Sequence, residues 1–165
     1  MMDLLAWYRG LALYNRVANE RLYGACAGLP DEEYRRDRVV SFRSIHALLN
    51  HLLLSDRIWM ERFEGNATST PPLDTVLFDE FGPMREARVR EDARIEAFFD
   101  SAGEGLIARP VIYVNSKGQR YSDPAPAVVG HFFNHQTHHR GQLHAMLAQA
   151  GVQPPSFDMH RILNP

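Results

Sequence analysis

The sequence has one cysteine in 165 residues, so it can form no internal disulfide. Cys26 has no second cysteine for a thiol–disulfide motif and reads as a small apolar residue near a helix end. Basic residues are not in excess. Eighteen Lys and Arg against twenty Asp and Glu give a formal net charge of −2. This balance argues against a broad phosphate-binding surface, and so against a nucleic-acid partner. No apolar run approaches the roughly 20 residues that span a bilayer, so no membrane partner is expected. The opening stretch MMDLLAWYRGLALYNRV lacks a basic leader, and Arg9 and Arg16 interrupt its apolar residues, which does not read as a secretion signal. The expectation is a soluble, cytoplasmic protein. There is no internal repeat and no low-complexity segment. An alternating strand–helix pattern is also missing, which excludes a doubly wound sheet.

What is present is helical periodicity in four stretches. The first helix is expected from Asp3 to Ala27, ending at Gly28-Leu29-Pro30. The second runs from Ser41, as N-cap, to Glu64, with Gly65 as its stop. The turn-forming loop NATSTPPLD follows. Pro83 suits the first turn of a third helix that continues to Ala102. Two short strands, Val111 to Val114 and Gln119 to Tyr121, are joined by Asn115-Ser116-Lys117-Gly118 as a hairpin. Pro124 and Pro126 close this insert. The fourth helix is expected from Ala127 to Ala150, and the proline-rich tail carries none, though Phe157, Ile162 and Leu163 can dock. Four amphipathic helices of about 20 to 25 residues predict an all-α four-helix bundle with a β-hairpin before the last helix, in one domain over residues 1–165.

HFFNHQTHHRGQLH, residues 131 to 144, holds five of the eight histidines. At about 100° per residue, and with His131 at zero, the apolar residues of the fourth helix centre near ~85°. His135 falls near ~40° and His139 near ~80°, both on that face. His131 lies at its edge, His138 further out and His144 opposite. His135 and His139 are spaced i, i+4, so both imidazoles can reach one ion such as zinc, nickel, copper or iron. Sharing an ion removes the cost of burying them unpartnered. Gln136 stands where a zinc protease needs its catalytic Glu, so that signature is excluded. A third ligand has to come from elsewhere. On the second helix, SIHALLNHLLLSDRIW offers His51 at one edge of an apolar face (Ile45, Leu48, Leu52, Trp59, Phe63) and His46 beyond the other, and periodicity does not choose between them. Asp56 falls within the apolar stripe, where it can orient an imidazole or pair with an arginine across the helices.

LLNHLLLSDRIW and HFFNHQTHHRGQLHAML together resemble the DinB-like (damage-inducible) metal-binding bundles. YNRVANERLY, VIYVNSKGQRYSDP and the closing Pro154, Pro155 and Asp158 extend the resemblance along nearly the whole chain. Its most specific element is H-x-x-x-H-R-G-Q, His135 to Gln142. Val17 departs from the pattern, which often has tryptophan there. The resemblance implies an up-down-down-up bundle, usually dimeric, with one divalent metal on three histidines. Carried over by position, these are His51, His135 and His139. It further implies a transferase or isomerase that uses a low-molecular-weight thiol on a small-molecule substrate. A metal-dependent hydrolase and a non-catalytic metal-binding dimer are the alternatives. Zinc and nickel suit the ligand set. Asn15 and Asn19 can line a pocket or lie at the surface. Tyr113 and Tyr121 can contact substrate or pack.

Overall fold

The computed structural model describes residues 3–66, 70–115 and 117–165. Ala67 to Ser69 of the expected loop and Ser116 of the expected turn lie outside them. The chain is mainly helical with one two-stranded antiparallel sheet. The elements are α1 (Leu4–Cys26), α2 (Asp31–Arg35), α3 (Ile45–Phe63), α4 (Phe81–Ser101), α5 (Glu104–Ala108), β1 (Pro110–Val114), β2 (Arg120–Pro124), α6 (Ala125–Gln149) and α7 (Met159–Leu163). Among the described residues, no helix is long and apolar enough to cross a membrane. Both α1 and α3 pack against α4 and α6.

Several expected boundaries move, each for a local reason. The second long helix is capped by Ser44, not Ser41. Arg43 has φ of 63°, which a right-handed helix cannot contain, so the helix begins beyond it. The Ser44 hydroxyl then accepts from the Ala47 N–H at 3.1 Å. The last long helix starts at Ala125 and takes Pro126 into its first turn, where a missing N–H costs no hydrogen bond. The second strand extends from Arg120 to Pro124, pairing Tyr113 with Tyr121. The tail does form a short helix, α7, and Phe157 docks as expected. The Tyr14 hydroxyl donates to the Phe157 carbonyl at 3.1 Å, and Leu163 approaches Gly10.

Two apolar clusters fill the core. One gathers Leu22 and Cys26 of α1, Leu48, Leu49, Leu52 and Leu53 of α3, Met84 of α4, and Leu143, Met146 and Leu147 of α6. The other gathers Tyr8 and Ala12 of α1, Met60 of α3, Ile95 and Phe99 of α4, and Val129, Phe132 and Phe133 of α6. Between them on each long helix stand buried polar side chains. These are Asn15 and Asn19, Asp56, Arg88 and Asp92, and Gln136 and Arg140, none more than 4% exposed. Asp56 therefore takes the second of its two options. Its Oδ2 accepts from Arg88 Nη1 at 2.6 Å, and Gln136 donates to its Oδ1. Arg88 also pairs with Asp92 at 2.9 Å. Asn19 donates to Asp92 at 2.9 Å, and Arg140 donates to the side-chain oxygens of Asn15 and Asn19.

Two guanidinium groups thus balance two carboxylates. Burial pushes the carboxyls of Asp56 and Asp92 up, that of Asp56 to about 7, and Arg88 between them offsets only part of this. Burial also works against the charge on Arg88, but Asp92 and Asp56 together overcome it and hold the guanidinium protonated. Removing one member of such a network leaves a buried charge uncompensated. Asp56→Ala is therefore expected to cost about 3–5 kcal/mol in urea unfolding. A loss below about 1 kcal/mol, as at an exposed ion pair, would show that the network does not hold the helices.

A candidate metal centre

The structure brings His51, His135 and His139 together. One ligand atom from each lies within 4.8 Å of the others. Nε2 of His135 is 3.3 Å from Nε2 of His51 and 3.1 Å from Nε2 of His139. His51 and His139 are buried and His135 is half-buried. His46, the alternative on the same helix, turns away. Its Nε2 lies 3.1 Å from the Phe78 carbonyl, and its ring packs on Tyr34.

Each outer ring is oriented by what its second nitrogen meets. His51 Nδ1 faces the Leu73 carbonyl at 2.9 Å, a partner that only accepts. The proton therefore sits on Nδ1, and Nε2 carries a free lone pair. Phe42 stacks on the same ring at 3.8 Å between centroids. His139 Nδ1 faces Gln142 Oε1 at 2.8 Å, and the Gln142 amide nitrogen lies 3.3 Å from His138 Nε2. An amide placed this way accepts from His139 and donates to His138, so His139 Nε2 is also bare. Asn50 fixes the loop that bears Leu73. Its Oδ1 accepts from the backbone N–H of Leu77 and Phe78 at 2.8 and 3.0 Å.

The donor set fits a divalent ion. Bare lone pairs converge from His51 and His139, and one His135 proton can satisfy only one of them at a time. Tetrahedral nitrogen ligands at about 2.0–2.1 Å from zinc stand about 3.3 Å apart, close to the separations found here. The Ser55 hydroxyl is 3.4 Å from His51 Nε2. A cavity of about 270 Å³ is lined by His51 and His135 together with Ser55, Trp59 and Arg62.

The remaining sequence candidates take other places. His131 is exposed, with its ring 5.4 Å from Trp59 at the cavity rim. His138 is exposed, with its ring edge-on to His139 at 4.9 Å and its Nε2 near Gln142, and His144 is exposed against Phe157. The buried face of α6 is centred further round than the apolar residues alone indicate, because it includes Gln136 and Arg140. His135 consequently sits at its edge. Asn15 and Asn19 are buried in the polar layer and do not line the cavity beside the triad, and Asn19 lines a separate cavity with Arg88 and Asp92. Tyr113 packs on Trp59 at 5.3 Å and bonds Asp123, while Tyr121 stacks on Tyr113. Sequence reasoning assigned no role to Gln142, although its i, i+3 spacing from His139 is a helical-neighbour signal. No comparable signal marked Phe42 or the Leu73 carbonyl.

The DinB family model matches residues 1–165. The chain is 30% identical over 154 residues to "Protein DinB" of Bacillus subtilis (strain 168), covering 88% of this chain and 87% of that protein.

Two expectations come from the ring environments. Burial, with the charges of the neighbouring histidines, lowers the pKa of His135 from 6.5 to about 3. Burial lowers that of His139 to about 4, against the opposing bond to Gln142, and also lowers that of His51. The folded rings stay neutral while unfolded ones protonate, so this contribution is complete above pH ~6.5 and is lost as pH falls toward ~4 and ~3. The urea midpoint of metal-free protein should fall across that range, and His135→Leu should flatten the slope. An unchanged slope contradicts the assignment. Gln142→Ala should weaken metal binding about 10- to 100-fold in a competitive chelator titration. Wild-type affinity in that variant would show that Gln142 does not orient His139.

Proposed function

The chain belongs to the DinB family, and from that premise we propose that it is a divalent-metal-dependent enzyme acting on a small molecule with a low-molecular-weight thiol, as a transferase or isomerase. His51, His135 and His139 are its protein ligands, and zinc or nickel suits three imidazoles. The cavity beside the ligands carries this reading, because an open position is the mark of a catalytic rather than a structural site. When bound there, a divalent ion supplies the Lewis acidity that keeps a thiol as its nucleophilic thiolate near neutral pH.

The chain's own residues do the rest. The Leu73 carbonyl and Gln142 hold two imidazoles in the tautomer that presents Nε2. Ile58, Trp59 and Leu73 give the cavity an apolar lining. Ser55 offers a hydroxyl at the centre. Hydrolysis would need a base beside the ligands, and among the described residues no carboxylate lines this cavity.

The same proposal takes residues 1–165 as one domain, an up-down-down-up four-helix bundle. The apolar clusters support that order. The start of α1 and of α6 shares a cluster with the ends of α3 and α4. A homodimer follows from the family resemblance, and a cytoplasmic location from the single cysteine, which suits a reducing compartment.

Untagged protein purified without chelators should carry about one zinc or nickel per chain by elemental mass spectrometry, and His51→Ala should lose it. Adding a thiol to cobalt-loaded protein should produce a sulfur-to-cobalt charge-transfer band. No metal as purified, none taken up on titration and an intact fold would overturn the reading. Metal without the thiol band would leave the centre and remove the thiol.

A further inference from the structure

Arg62 lines the cavity shared by His51 and His135 and is 9% exposed. Its guanidinium lies against two aromatic rings that touch each other, 4.4 Å from the Trp59 centroid and 4.6 Å from that of Tyr113. Its Nη2 donates to Thr70 Oγ1 and to the Val114 carbonyl, each at 3.1 Å. Of the other buried arginines, Arg38 pairs with Glu33, and Arg88 and Arg140 sit within the carboxylate-and-amide layer described above. Among the described residues no carboxylate pairs with Arg62, and it is the one charged side chain lining this cavity besides the neutral histidines. With two rings against the guanidinium and Nη2 engaged, the N–H groups on Nε and Nη1 have no hydrogen-bond partner among the described residues and can meet a ligand. A planar fork of this kind matches a carboxylate.

We infer that Arg62 anchors a carboxylate of the molecule whose reacting end meets the His51–His135–His139 centre. Arg62 is thus a specificity residue for anionic small molecules. His51 and Arg62 stand eleven residues apart on α3, about 16 Å along the helix axis. Their side chains line one cavity, so the ligand spans that cavity with its carboxylate at one end and its reacting atom at the other. This inference rests on the proposed metal centre. Its carboxylate belongs either to the thiol itself or to the thiol's reaction partner.

The test uses cobalt(II)-loaded protein and two probe series, ω-mercaptocarboxylic acids of increasing chain length and the matching ω-mercaptoalcohols, followed by the cobalt spectrum. Simple alkanoates, followed by thermal shift with and without cobalt, form a third arm. If the thiol carries the carboxylate, acids bind at least about tenfold more tightly than alcohols at one favoured chain length. Arg62→Gln erases that preference and Arg62→Lys restores part of it, with cobalt stoichiometry unchanged. If neither thiol series changes the spectrum but alkanoates stabilise the wild type and not Arg62→Gln, the anchor stands and the thiol reading fails. Failure to bind cobalt removes the metal reading, while the alkanoate arm still reports on Arg62. Equal binding of acids and alcohols to the wild type, with no stabilisation by alkanoates, overturns the inference without any variant. So does an Arg62→Gln protein that folds and keeps the wild-type preference.

Discussion

The structure depends on a neutral cluster of charges buried midway along its four long helices. Asp56, Arg88 and Asp92 alternate in sign, and Gln136, Arg140, Asn15 and Asn19 extend the network with further hydrogen bonds. An apolar layer can slide by a turn at modest cost because its contacts are not directional. A buried ion pair cannot, because a slipped register leaves a charge without its partner. The cluster therefore sets the register of α3 against α6 as well as holding the helices together.

That register is what the imidazoles need. On α6, His135 precedes Gln136 and His139 precedes Arg140, so two neighbouring stripes serve two tasks. One stripe reaches the polar layer, and the other, about 100° round the helix, presents the proposed ligands. On α3 the same division separates Asp56 from His51 and Ser55. The polar layer fixes the backbones, and the Leu73 carbonyl and Gln142 then fix the rings. Asn50 joins the two levels by pinning the loop that supplies Leu73. Rigid placement of this kind is what a centre with an open coordination position requires, since the ion cannot complete its own shell from protein.

Much of this was legible in the sequence. Periodicity located the four long helices and the hairpin, and the i, i+4 pair of His135 and His139 stood out. The choice of His51 over His46 rested on family resemblance, and the structure separates the two by which ring reaches α6 and which reaches Phe78. The start of α3 was misplaced because no residue pattern announces a left-handed Arg43. The polar layer was hidden for a different reason. An apolar wheel treats Gln136, Arg140, Asn15 and Asn19 as surface residues, and their burial follows from mutual pairing across helices that lie far apart in sequence. Gln142 and Arg62 show the same limit, since each takes its meaning from a neighbour supplied by the fold.

X-ray absorption at the metal edge of fully loaded protein is the most direct test of the central claim. The account predicts three imidazole nitrogens at about 2.0–2.1 Å, together with at least one light, exchangeable ligand that is not protein. A shell closed by four protein donors, or one without imidazole scattering, would contradict it.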